Sequence, residues 1–148
     1  MSTLHVRAQL RKAVAAQLKA ASIVAAASVF EARARPTTDS QLPCLFVFTE
    51  DEAGERYTGN SSQRTVELVV RGRVKTVGDP PQDDLDALAV EIERAIAGAR
   101  DFGGLVFDLQ YRHTHSNASA NSDRQAGDID VAYDVVINTA NNDPTRSI

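Results

Sequence analysis

Among its 148 residues the chain has one cysteine, one methionine and no tryptophan, and aromatic residues make up only 5% of it. A single thiol, Cys44, excludes an intrachain disulfide and points to a reducing compartment. Its setting in the apolar run LPCLFVF predicts an inert buried thiol, because burial raises a thiol's pKa and no base stands beside it in the sequence. No apolar run reaches the ~18 residues that a bilayer-spanning helix needs. The N-terminus, MSTLHVRAQLRKAVAAQLKA, carries charge at every turn and so is no secretory signal; the expectation is a chain made in the cytoplasm with no membrane partner. Neither charge sign is in large excess: 16 Lys and Arg stand against 20 Asp and Glu, for a net charge of −4, which argues against a strongly basic nucleic-acid binder and leaves room only for a local basic patch. The glycines are scattered, and neither GxGxxG, GxxxxGK[ST] nor GxSxG occurs, so there is no nucleotide-binding loop and no nucleophile elbow.

What is present is a strand pattern around which the rest is arranged. In Arg64 to Lys75, Val66, Leu68, Val70 and Val74 alternate with Glu67, Arg71, Arg73 and Lys75, which predicts a central strand with one apolar and one charged face. Before it, Ser2 or Thr3 caps a helix with apolar positions Val6, Leu10, Val14 and Leu18 and a basic row of Arg7, Arg11, Lys12 and Lys19, read as solvated or partner-facing. SVFEARARP is a short strand candidate stopped by Pro36, and Leu42 to Thr49 is apolar on both faces, as expected of a strand covered on both sides, one cover being a candidate neighbouring subunit. Glu50 to Ser62 breaks all periodicity and reads as a long functional loop. After the central strand, Asp79-Pro80-Pro81 opens a helix with the stripe Leu85, Leu88, Ala89, Ile92 and Ile96. Two strands follow: one from Leu105 to His115 with Leu105, Phe107, Leu109 and Tyr111 inward, the other from Asp128 to Thr139. A polar connection joins them, and a polar tail, 140–148, is expected to fray. The fold class is α+β: a mixed, largely antiparallel sheet with two main helices on one face, in one domain over 1–148 with an ordered core at 4–139.

Chemistry is harder to find in these residues. His113-Thr114-His115 offers two imidazoles that continue the inward row from Tyr111, with Asp108, Asp123 and Asp128 nearby in sequence; a metal site there is set against ordinary residues leaving the core. Alternate carboxylates at Asp128, Asp130 and Asp134 mean solvation or a charged partner surface more readily than acid–base catalysis. The expectation is therefore no enzyme, no cofactor and no metal. The charged row of the central strand (Glu67, Arg71, Arg73, Lys75) and that of the last strand (Asp128, Asp130, Asp134) put both signs on the sheet's outer face. Such rows dissolve a monomer, or pair between neighbours in a head-to-tail ring.

VFEARARP, LPCLFVF, the GERYTG loop, TVELVVRGRV, DDLDALAVEIERAI and the closing DLQYR and DIDVAYDVVINT pair together resemble the tail terminator proteins of long-tailed bacteriophages (siphovirus type), the lambda-type minor tail protein U group. The resemblance spans about residues 4 to 139 and departs from the family pattern in a longer connection at His115 to Asp128. It implies a virion protein at the head–tail junction, assembled in the host cytoplasm: a homo-hexameric ring that caps the tail tube protein, stops its polymerisation and offers its other face to a head completion or connector protein. DNA would pass the lumen without sequence-specific binding. The interface residues expected on this reading are Glu52, Glu55, Arg56, Tyr57, Glu67, Arg71, Arg73, Lys75, Asp128, Asp130 and Asp134, with Asp51, Glu52 and Glu55 as lumen-facing acids. A head–tail connector or tail completion protein of the same layout is the alternative, and a small hydrolase using His113 and His115 is the reading from a different class.

Overall fold

The computed structural model describes residues 3–21, 23, 25, 28–32, 42–75, 82–119 and 126–148. In chain order they form α1 (Val6–Ala20), β1 (Val29–Phe30), β2 (Cys44–Thr58), β3 (Ser61–Lys75), α2 (Gln82–Ala97), β4 (Asp108–Ser119) and β5 (Ala126–Ala140). The five strands make one sheet in the order β1-β2-β3-β5-β4, antiparallel throughout except for the short parallel pairing of β1 with β2. This is the mixed α+β architecture expected, with β3 at its centre. The Ser2 cap, the Pro-Pro turn at 80–81, the strand continuation at 33–36 and the connection at 120–125 lie outside the described residues.

Both helices cover one face of the sheet. Val6, Leu10, Val14 and Leu18 of α1 and Leu85, Leu88, Ile92 and Ile96 of α2 meet Leu45, Val47, Val66, Leu68, Val70, Ile129, Val131, Val135 and Ile137 in the main core. Burying each such aliphatic side chain contributes about 1.5–3 kcal/mol, and the apolar stripe of α2 is what places it over β3 and β5. Gly72 makes that approach possible: a Cβ there would sit 2.5 Å from Cδ2 of Leu88. At the other end of α2, Phe102, Gly103 and Gly104 all take positive φ as the chain turns toward β4.

The opposite face has a smaller cluster, Cys44, Phe46, Phe48, Val69 and Ala132, with Phe30 and Leu42 against it. Its cover is built from this chain, where the sequence allowed a neighbouring subunit: the guanidinium of Arg73 lies 5.0 Å from the Phe46 ring centre and that of Arg71 lies 5.2 Å from Phe48. Weakly hydrated, planar guanidinium groups suit this role.

Four expectations are corrected. Glu50 to Ser62 is no loop. β2 runs on to Thr58 and turns at Gly59-Asn60 straight into β3, with Glu52 opposite Val66, Glu55 opposite Gln63 and Arg56 opposite Ser62. Backbone pairing holds this ribbon, and its outer half buries almost nothing, so hydrophobic periodicity carries no trace of it. The basic row of α1 is also engaged: Arg7 and Arg11 donate to Thr49 Oγ1 (3.2 and 2.9 Å), Arg7 also donates to the Glu50 carbonyl at 2.7 Å, and Lys12 pairs with Glu31 at 3.4 Å. The two arginines hold α1 to β2 beside its register shift between Thr49 and Glu52. Finally, residues 141–148 fold back instead of fraying. The Val6 N–H donates to the Pro144 carbonyl at 2.7 Å, the Ile148 N–H to the Asn138 carbonyl at 2.8 Å, and Thr139 bridges Ser147. His5, in place of the expected Thr3, caps α1, its Nδ1 accepting from the Arg7 N–H.

Candidate functional site

The candidate residues fall into three places. On the outer face of the sheet, Arg71 stands opposite Asp130 and Arg73 opposite Asp128 in the β3–β5 register. Each makes a two-pronged contact: Arg71 Nε and Nη2 donate to Asp130 at 2.7 and 2.9 Å, and Arg73 Nε and Nη2 to Asp128 at 2.8 and 3.2 Å. These hydrogen bonds, ahead of the opposing effect of burial, raise both guanidinium pKa values. Asp134 faces Glu67 across the strands, a like-charge pair, and is compensated by Arg112 at 2.8 Å from the neighbouring strand. The charged rows therefore pair within one chain, and the pairing between subunits that the rows suggested is not needed to satisfy them. Lys75 ends β3 exposed.

The second place is the β2–β3 ribbon, at the opposite end of β3. Glu52 is held at its root, 2.8 Å from Arg64 and 3.8 Å from Arg7, with its side chain 17% exposed. Asp51, Glu55, Arg56 and Tyr57 project into solvent. Tyr57 touches Phe107 at 6.4 Å between ring centres, and these two aromatics are 54% and 61% exposed. Asn141 ties the ribbon's turn to the C-terminal segment, accepting from Ser62 Oγ and donating to the Gly59 carbonyl, each at 2.8 Å. The ribbon residues and the charged rows thus sit at two ends of the sheet and do not form one surface.

The third place is β4, and here the reading of the histidines changes. Tyr111 pairs with Tyr133, a residue of the helix-side core, but a register shift follows, and His113 pairs with Ala132 of the outer cluster. His113 and His115 therefore lie on the face opposite Tyr111. His115 borders a polar hollow with Arg71, Asn117, Asp128 and Asp130. Among the described residues no three His, Cys, Asp or Glu side chains come together as a cation site. The inward row expected from Leu105 to Tyr111 is also only part buried: Leu109 is, whereas Phe107 and Tyr111 are exposed.

Sequence reasoning missed a cleft where the helix layer stops short of β4. Its walls are Glu93, Ile96, Ala97 and Arg100 of α2 and the following turn, with Leu109, Tyr111 and Tyr133 from the sheet, and its volume is about 330 Å³. Tyr111 meets Tyr133 edge to face at 6.1 Å and bonds through its hydroxyl to Thr114. Tyr133 is 3% exposed, and its hydroxyl is buried with no hydrogen-bond partner. Burial, then the charges of Glu93 and Tyr111, push its pKa far above the ordinary phenol value. The available signal was a tyrosine in an otherwise aliphatic row, since a buried phenol ordinarily finds a partner for its hydroxyl.

No protein-family model matches this chain, and no curated protein does. Among solved structures it is similar to a chain of the virion of a native gene transfer agent (GTA) particle, with a TM-score of 0.52 and 16% sequence identity, over 87% of this chain and 94% of that one. At that identity the likeness establishes a shared fold, running nearly from end to end of both chains.

Proposed function

We propose that this chain is a structural assembly protein of a phage-like particle, a tail terminator that caps the tail tube, stops its polymerisation and presents a surface for head attachment. The observation that carries the reading is the end-to-end fold likeness to a chain of a GTA virion, joined to the resemblance of its sequence runs to tail terminators. The molecule's surfaces fit the role: a protruding ribbon at one end of the sheet and an exposed β4 at one edge. On this reading the chain is not an enzyme, acts as a hexameric ring at the head–tail junction of the virion, and lets DNA pass through its lumen without sequence-specific contact. Asp51 and Glu55, exposed on the ribbon, are the remaining candidates for lumen acids, because Glu52 is engaged by Arg64 and Arg7.

The test is capture on defined partners together with tail morphology. Tagged protein is expected to retain tail tube protein, and particles assembled without it are expected to carry tubes of uncontrolled length. Retention of head proteins alone, with tails of normal length in its absence, replaces the terminator with the connector reading.

A further inference from the structure

The cleft over β4 and the ribbon of β2 are complementary in a way the fold does not use internally. The cleft has an apolar floor (Ile96, Ala97, Leu109), two tyrosine rings, a half-buried carboxylate at Glu93 and a buried hydroxyl without a partner. Glu93 has no ion-pair or hydrogen-bond partner among the described residues, and its charge is felt at the Tyr133 hydroxyl. The other charge at the rim, Arg100, lies 4.0 Å from Asp108 and 3.4 Å from the Leu109 carbonyl, which it reaches through Nη2. The group that satisfies all of these features is a cation on an apolar stem. It stacks on aromatic faces, gives two hydrogen bonds to a carboxylate and has a further N–H for the phenol oxygen. An arginine has this chemistry.

Arg56 is such an arginine and is free. It is exposed on the ribbon and has no partner among the described residues. The register puts it opposite Ser62, itself opposite Thr139, two positions from the core residue Ile137, so Arg56 stands on the helix side of the sheet, as the cleft does. Arg56 sits near the tip of the ribbon, whose next residue, Tyr57, touches Phe107 just before β4; the cleft lies farther along the sheet, between α2 and Leu109, Tyr111 and Tyr133 of β4 and β5. A knob at the ribbon end of the sheet and a hole beside α2, on the same face, meet between successive copies in a head-to-tail arrangement, which closes as a ring when the rotation allows.

We propose that Arg56 of one copy enters the Glu93–Tyr111–Tyr133 cleft of the next, and that this contact joins the copies of this chain. The inference rests on the ring reading above and names the contact within it.

The experiment measures self-association by sedimentation over a concentration series for the full chain and for Arg56→Glu, Glu93→Arg, the double variant and Tyr133→Phe, with thermal unfolding of each. Each single reversal puts like charges in contact and is expected to weaken association at least about tenfold. The two single variants mixed one to one regain it, because alternating copies restore every pair, and the double variant regains it alone. Tyr133→Phe is expected to unfold no earlier than wild type, since it removes an unsatisfied hydroxyl, and yet to associate several-fold less tightly. Wild-type-like association in both single variants overturns this contact while leaving the ring standing. Failure of the mixture and the double variant to recover, or unchanged association in Tyr133→Phe, overturns it too. A wild-type chain that stays monomeric at every concentration overturns a contact strong enough to join free copies, and capture of tail tube protein remains the separate test of the virion role.

Discussion

At the scale of single residues, two positions decide how the layers fit. Gly72 lets α2 sit close to β3, with a Cβ there 2.5 Å from Leu88 Cδ2 and 3.1 Å from its Cγ. Gly72→Ala is expected to destabilise the chain by about 1–3 kcal/mol through overpacking. Leu88→Ala leaves a cavity and is expected to cost about 2–5 kcal/mol. Because the two changes share one space, urea unfolding of the double variant is expected to show less than the sum; strict additivity would mean Leu88 simply swings aside. Arg71 is the other position. Its removal strips Asp130 of two hydrogen bonds and uncovers Phe48. Arg71→Ala is expected to lower stability by about 1–3 kcal/mol, while the exchange Arg71→Asp with Asp130→Arg restores part of it and leaves assembly unchanged. If the swap instead abolishes assembly at native stability, the charged rows do face a neighbour.

At the scale of elements, the sequence was most legible where side chains bury. The stripe of α2 and the alternation in β3 and β5 are local signals of which face is dry. The outer half of β2 gave none, because EDEAGERYT is polar on both faces and is a strand only through its pairing with β3. The register shift between Tyr111 and His113 was equally silent, and it moved both histidines to the other face. The charged rows were visible, but which carboxylate meets which guanidinium depends on strand register, which no local pattern encodes. The C-terminal segment looked frayed because its fastening is backbone hydrogen bonding to α1 and β5. Its turn is strengthened by Asp143, whose carboxylate accepts from the Thr145 hydroxyl and N–H; these bonds lower its pKa. A group whose folded pKa lies below its unfolded value contributes stability above the unfolded value, and that contribution is lost as pH falls through the folded one. The segment is therefore expected to hold above pH of about 4 and to loosen below it. Hydrogen exchange at the Val6 amide, which donates to Pro144, reads this directly: its protection should fall in acid, and the fall should vanish in Asp143→Asn, whose side chain does not titrate.

At the scale of the whole molecule, association sets a local attraction against a long-range repulsion. Each copy carries a net charge of −4, so copies approaching one another repel. At about 0.01 M salt that repulsion reaches across roughly 30 Å, comparable to a subunit, whereas at about 0.15 M it is confined to roughly 8 Å. The contact between Arg56 and Glu93 acts over a hydrogen-bond length inside a cleft with an apolar floor and two aromatic walls, where added salt screens it less. The apolar and aromatic area of the cleft is also indifferent to modest salt. The repulsion is therefore the part that salt removes first. Raising salt from about 0.01 to 0.15 M is expected to strengthen self-association of the wild-type chain, and sedimentation at fixed protein concentration would show a rising mass. The sign is informative in both directions: a mass that falls steadily with salt would mean that exposed ion pairs between copies outweigh the net charge, and would place the contact on the open surface instead of in the half-buried cleft.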